Sequence, residues 1–146
     1  MQLIETDGGR AEAGYKGRAR DCACRAIAIA TGRPYQEVYD LVNEFAKAER
    51  PRGRTKRSSA RTGVQKPTMR KLMASIGWTW TPTMQVGSGC KVHLRADELP
   101  SGRLVVSVSR HYVAVIDGVA HDTYEDARDG TRCVYGYYSL AKEAIS

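Results

Sequence analysis

The sequence predicts an α+β fold, with N-terminal helices packed on a C-terminal antiparallel β-sheet. Apolar residues recur at helical spacing between Cys22 and Ile76. They run at strand spacing between Leu104 and Tyr138. The two patterns are segregated along the chain, so a parallel sheet with helices on both faces is not expected. With 146 residues, 42% of them apolar and 27% charged, the chain has the size and composition of one domain with a real core.

From Met1 to Arg20 there is little periodicity, and Gly8, Gly9, Gly14 and Gly17 make the stretch loop-like. It reads either as the lining of a cleft or as a partly ordered terminus. Asp21 then stands as an N-cap to a short apolar helix from Cys22 to Ala30, ended by Gly32 and Pro34. A second helix runs from Tyr35 to Ala48, with Tyr35, Val38, Leu41, Val42 and Phe45 on its apolar side. Pro67 fits the first turn of a third, whose stripe is Met69, Leu72, Met73 and Ile76, with Gly77 as its end. Trp78 to Trp80 alternates like a short strand, halted by Pro82. Val86 to Cys90 is a flexible turn, and Ala96 to Leu99 a single helical turn before Pro100.

Strands follow from Leu104 to Ser109, from His111 to Ile116 and from Val119 to Tyr124. A loop from Asp126 to Thr131 leads to a last strand from Cys133 to Tyr138. Asp117-Gly118 between two apolar runs signals a two-residue hairpin turn. That turn sets the pairing by arithmetic: Ile116 faces Val119, Ala114 faces His121, and His111 faces Tyr124. Asp122 is then a diagonal neighbour of His111 on the same face, and His121 falls on the opposite face.

Cys22, directly after the cap, sits at the positive end of the helix dipole, which favours thiolate and hence nucleophilic chemistry. Cys24 lies about 200° around the helix and cannot share that face. Cys22 reads as the reactive thiol and Cys24 as packing; the plain alternative is that both simply pack, as free cysteines commonly do. A thiol at a helix start, with an imidazole oriented by a carboxylate, makes Cys22, His111 and Asp122 the candidate catalytic residues: nucleophile, general base and orienter.

The order of Cys on an early helix, His on a strand and Asp after a hairpin resembles that of papain-like cysteine peptidases, closest to their compact bacterial branch. That branch includes the peptidase domains of bacteriocin-exporting transporters. The motif Asp21-Cys22-x-x-Arg25-Ala26-Ile27-Ala28-x-Ala30-Thr31-Gly32-x-Pro34-Tyr35 also resembles small proteins common in bacteriophage genomes, over most of the chain. The resemblance implies a papain-like fold and a cysteine hydrolase, peptidase or related amidase, acting on protein or peptide through a thioester. It also implies a phage or bacterial source. Such peptidases place a Gln a few residues before the Cys as an oxyanion donor; here the region reads Gly14-Tyr15-Lys16-Gly17-Arg18. The Cys22 amide supplies one donor, and no second is identified.

The chain carries a net charge of +7, and Arg50 to Lys71 holds no acidic residue. Arg50, Arg52, Arg54, Lys56, Arg57 and Arg61 form a basic loop at about 50–61, expected to be mobile and without apolar anchors. It suits phosphates or an acidic protein surface, or is a solvated loop. The alternative function is therefore a catalytically inactive domain that binds nucleic acid through this loop. No apolar run has the length of a membrane span. Four cysteines without a secretory signal suggest reduced thiols in a cytoplasmic protein. No cofactor is implied. For metal, Cys90-x-x-His93 with Cys133 or His121 is the nearest approach, but paired Cys-x-x-Cys spacing is absent, and none is expected.

Overall fold

The computed structural model describes residues 1–50, 53–125 and 127–141. In chain order the elements are β1 (Gln2–Glu5), α1 (Cys22–Thr31), α2 (Tyr35–Ala46), α3 (Lys66–Ser75), β2 (Trp78–Pro82), β3 (Arg103–Val108), β4 (His111–Ile116), β5 (Val119–Asp122) and β6 (Val134–Leu140). Helices and strands are largely segregated, as the α+β reading expects. The strands form one six-stranded sheet in the order β1-β5-β4-β3-β6-β2.

The expectation of a purely antiparallel sheet needs correction. β1 pairs parallel with β5, Leu3 opposite Ala120 and Glu5 opposite Asp122, so the sheet is mixed. This strand comes from the stretch read as loop. It is a mostly exposed edge strand of four residues, too short and too polar on balance to show strand periodicity. The segment from Asp7 to Arg20 is also held in place. Arg10 donates to the Lys16 and Gly17 carbonyls, at 3.1 and 3.3 Å, and Tyr15 stacks on Tyr39 with ring centres 4.4 Å apart.

β3 is apolar on both faces because both faces are covered. On one side Ile27 of α1, Val38 and Val42 of α2 and Met69, Leu72 and Met73 of α3 pack with Val105, Ala114 and Tyr138. On the other, Leu104, Val106, Val113, Val115 and Ala120 are closed over by Leu94, Leu99 and Ala127, which come from connecting segments. At Gly136 a close approach requires glycine: a Cβ there would lie 2.4 Å from the Trp80 ring.

The hairpin carries its expected turn. Asp117 and Gly118 both have positive φ, 48° and 79°, the type I′ signature. Ile116 pairs with Val119 and Ala114 with His121, as the sequence predicts. The strand ends at Asp122, two residues short of the expected Tyr124.

From Lys56 to Ala60 the basic segment differs from the expectation of a stretch without anchors. Ser58 and Ala60 are buried. Asn43 accepts from the Ala60 amide at 2.9 Å, Glu49 accepts from the Ser58 amide at 2.7 Å, and Gln65 donates to the Lys56 carbonyl at 2.7 Å. These polar links come from α2, from its exit and from the residue before α3, so they are invisible in a reading that looks for apolar anchors. Arg52, assigned to this loop, lies outside the described residues. So does Asp126 of the loop before the last strand.

Candidate active site

Asp21 does not cap α1 with its side chain. The carboxylate instead turns into the protein, where Tyr35 Oη donates to Oδ2 at 2.7 Å and Arg25 donates to Oδ1. Arg10 Nε stands 3.6 Å from Oδ2. The local capping preference loses to a buried anion site with three partners. The change leaves the first-turn amides of α1 without a side-chain cap.

His111 is the first residue of β4 and Asp122 the last of β5, so the two close the open end of the hairpin. His111 Nε2 donates to Asp122 Oδ2 at 2.5 Å, and both residues are buried. A carboxylate can only accept, so Nε2 carries the proton and Nδ1 is the ring nitrogen left for the thiol. Burial pushes the Cys22 thiol up. A hydrogen bond and charge from His111, the Tyr112 amide and the Arg25 charge more than offset it, and the net shift is below the ordinary thiol value of 9.0. The three candidate residues are thus brought to one place from the start of α1, the start of β4 and the end of β5.

Cys24 has the opposite environment. It is fully buried among Ile27, Tyr35 and their neighbours, and burial pushes its thiol up to about 12. His121, on the other parity of the hairpin, is half-buried. Burial and the charge of Arg103 both favour its neutral form. His93 Nδ1 meets Glu98 at 3.1 Å.

Arg25 is the site residue that element-by-element reading misses. Its Nη2 donates to Asp122 Oδ1 at 3.0 Å while Nη1 serves Asp21. The Thr123 amide also donates to Asp122 Oδ1, at 2.7 Å, so the Asp122 carboxylate is held on both oxygens. Burial disfavours the Arg25 charge, but Asp21 and Asp122 outweigh it and hold the guanidinium charged. The available signal was the spacing from Asp21 to Arg25, an i,i+4 acid–base pair on one helix face.

Two cavities meet at Cys22 and His111. One, of about 260 Å³, lies between the start of α1, the stretch 62–66 and the turn joining β3 to β4; Arg20, Lys66 and Arg110 line it. The other, of about 440 Å³, is bounded by residues 19–25, Arg110 and Tyr124. Tyr124 stands beside the His111 ring, with centres 5.4 Å apart. Of the basic-loop residues, Lys56 and Arg61 reach an adjoining cavity with Arg18 and Arg20, whereas Arg50, Arg54 and Arg57 are exposed and line neither site cavity.

Cys90 and Cys133 are joined in a disulfide, Cα atoms 5.8 Å apart, which corrects the expectation of four reduced thiols. The backbone of His93 pairs with that of Cys133, and this tertiary contact brings the two cysteines together. Among the described residues, no group of three His, Cys, Asp or Glu is placed to hold a metal ion, and no helix is long and apolar enough to cross a membrane. The chain matches no protein-family model, no curated protein and no solved structure.

Proposed function

We propose that the protein is a cysteine hydrolase of papain-like arrangement, acting on amide bonds through a thioester. The observation that carries this reading is the His111 imidazole, held by Asp122 on Nε2 and paired with Cys22. The Cys22 thiolate attacks the carbonyl carbon, and the Cys22 amide supports the oxyanion. The tetrahedral species collapses as the His111 imidazolium gives its proton to the leaving amine, and a thioester remains. Neutral His111 then takes a proton from water, or from an amine acceptor, which attacks the thioester. The acid or the transferred amide leaves, and Cys22 is released as the thiolate beside the His111 imidazolium, the pair that began the cycle. Deamidation, transamidation and isopeptide cleavage share every step up to the acceptor.

Asp122 fixes the imidazole and supports its charge, and Arg25 fixes Asp122. Arg25 is a positioning residue: it holds the Asp122 carboxylate, and its charge also favours the Cys22 thiolate.

The test is trapping. Incubation with iodoacetamide at pH 6.5, followed by peptide mapping, is expected to modify Cys22 selectively, and His111→Ala is expected to abolish that selectivity. Equal labelling in the parent protein and the His111 variant overturns the hydrolase reading and favours the inactive, nucleic-acid-binding domain.

A further inference from the structure

We infer that the substrate is an acidic peptide, with carboxylates on both sides of the carbonyl that Cys22 attacks. The inference rests on the hydrolase reading and names the substrate class of the same site.

Three connected cavities surround the thiol and imidazole. The two described above share Arg20 and Arg110, and a third, of about 680 Å³, adjoins them through Arg20 and Thr62. Their ionisable lining, apart from Cys22, His111 and the tyrosines, is entirely cationic: Arg18, Arg20, Lys56, Arg61, Lys66 and Arg110, with Arg25 deeper. No Asp or Glu lines any of the three. Arg25 is spoken for by Asp21 and Asp122. Among the described residues, none of the other six has a carboxylate within ion-pair distance. Elsewhere Arg33 pairs with Glu37, Lys47 with Glu44, and Arg95 with Asp97 and Glu98, while other cations such as Arg54, Lys71 and Lys91 stand scattered over the exposed surface. Around the reactive thiol the six cations instead line concave walls that hold no carboxylate, and such walls concentrate the field.

That field selects anions, and the chemistry selects among them. A thiolate with an imidazole partner forms a thioester, so the substrate presents an acyl carbon, which the phosphodiester chain of a nucleic acid does not. The aromatic lining also offers no row of faces for successive bases: Tyr124 is exposed beside the His111 ring, and Tyr112 is half-buried within β4. An extended peptide crossing the thiol, with Asp or Glu on either flank, matches both the charge and the reaction.

The experiment has two arms. In the first, Cys22 is alkylated with neutral iodoacetamide and with anionic iodoacetate, and the rate ratio is compared with that of N-acetylcysteine. A cationic cleft raises the iodoacetate-to-iodoacetamide ratio several-fold at low salt, and the excess falls as salt screens it beyond about 10 Å. The triple variant Arg20→Glu, Lys66→Glu, Arg110→Glu, changed only at exposed positions, brings the ratio to or below the reference. In the second arm, octapeptides of alternating Ala and Glu, or of alternating Ala and Lys, are offered with a thymidine octanucleotide. Cleavage is read by mass spectrometry, and protection of Cys22 by slowed alkylation. The acidic peptide is expected to protect, and to be cleaved with kcat/KM about tenfold or more above the basic one.

An iodoacetamide rate that is fast and His111-dependent, with an anionic ratio at or below the reference, overturns the acidic-substrate inference alone. Preference for the basic peptide, or protection by the oligonucleotide and not by the acidic peptide, does the same. An ordinary iodoacetamide rate, unchanged in His111→Ala, overturns the hydrolase reading and takes the inference with it.

Discussion

Arg25 and Asp122, separated by 97 positions in sequence, meet at 3.0 Å, and the same guanidinium holds Asp21 with its other nitrogen. One cation therefore ties the first turn of the Cys22 helix to the strand that carries Asp122. Replacing it leaves two carboxylates in a buried site without their shared partner. Arg25→Ala is expected to cost about 3–5 kcal/mol, the usual scale for breaking a buried pair from one side. Denaturant unfolding measures it. Arg25→Lys, which keeps the charge but not the two-pronged geometry, is expected to recover part of the stability and little of the Cys22 reactivity.

The thiols separate by reactivity. Without reductant, Cys22 alone is expected to label, because Cys24 is buried and Cys90 and Cys133 are joined. Its pH profile is expected to lie below that of an ordinary thiol, since the folded protein favours the thiolate. His111→Ala moves the profile up toward an ordinary thiol near pKa 8.5, Asp122→Asn moves it partway, and His121→Ala leaves it in place. Peptide mapping after alkylation across pH 5 to 9 checks all four. Control by His121 would contradict the hairpin register.

Alkaline stability follows from Cys24. Its thiol is near 12 when folded, against 9.0 for an ordinary thiol, so the unfolded chain loses this proton first. The contribution is complete below about pH 9 and is lost as pH rises toward 12. Tyr35, Tyr112 and Tyr138 are raised as well, chiefly by burial, and act in the same direction. Urea midpoints measured from pH 7 to 10.5 are expected to fall, and Cys24→Ala is expected to make the early part of that fall shallower.

Arg110 adopts φ 56° in the turn before His111, a left-handed conformation that costs a residue with a side chain about 1–2 kcal/mol. Arg110→Gly removes that strain but frees the unfolded chain, so thermal stability is expected to stay within about 1 kcal/mol of the parent. Arg110→Ala keeps the strain. Both lose the charge beside His111, and both are expected to lower the rate with iodoacetate more than the rate with iodoacetamide.

Gly136→Ala places a methyl group against the Trp80 ring and the Thr81 carbonyl, at the Pro82 end of the β2–β6 pair. A loss of about 1–3 kcal/mol is expected from overpacking, read by thermal melting. Unchanged stability would mean that both the Trp80 ring and the β2 backbone at Thr81 give way freely.

What was legible in the sequence was what local rules determine. Asp117-Gly118 fixed a turn, the turn fixed a register, and parity then placed Asp122 beside His111 and His121 away from it. What was not legible depended on partners far along the chain. Asp21 has the right chemistry for a cap, yet Tyr35 and Arg25 draw its carboxylate inward, and nothing near Asp21 announces Tyr35 as a competitor. β1 lacks a pattern because one edge strand, mostly exposed, has little to bury. The Cys90–Cys133 bond follows from the pairing of His93 with Cys133, a contact across two irregular segments. The anchoring of the basic segment from Lys56 to Ala60 escaped for the same reason, since Asn43 and Glu49 belong to the α2 region and its exit rather than to the segment itself.

The parallel pairing of β1 with β5 has a consequence for the order of events during synthesis. Asp122, whose carbonyl accepts from the Thr6 amide at 2.9 Å, emerges long after Thr6 has left the ribosome. The first strand must wait for the fifth, and Cys22 must wait for both His111 and Asp122. Contacts of such long sequence separation slow folding, because the chain closes a large loop before they stabilise it. At roughly 5–20 residues per second, the helical segments are synthesised several seconds before the hairpin. Throughout that interval the nascent chain carries an ordinary cysteine, and Cys22 meets His111 and Asp122 only when most of the chain has been made.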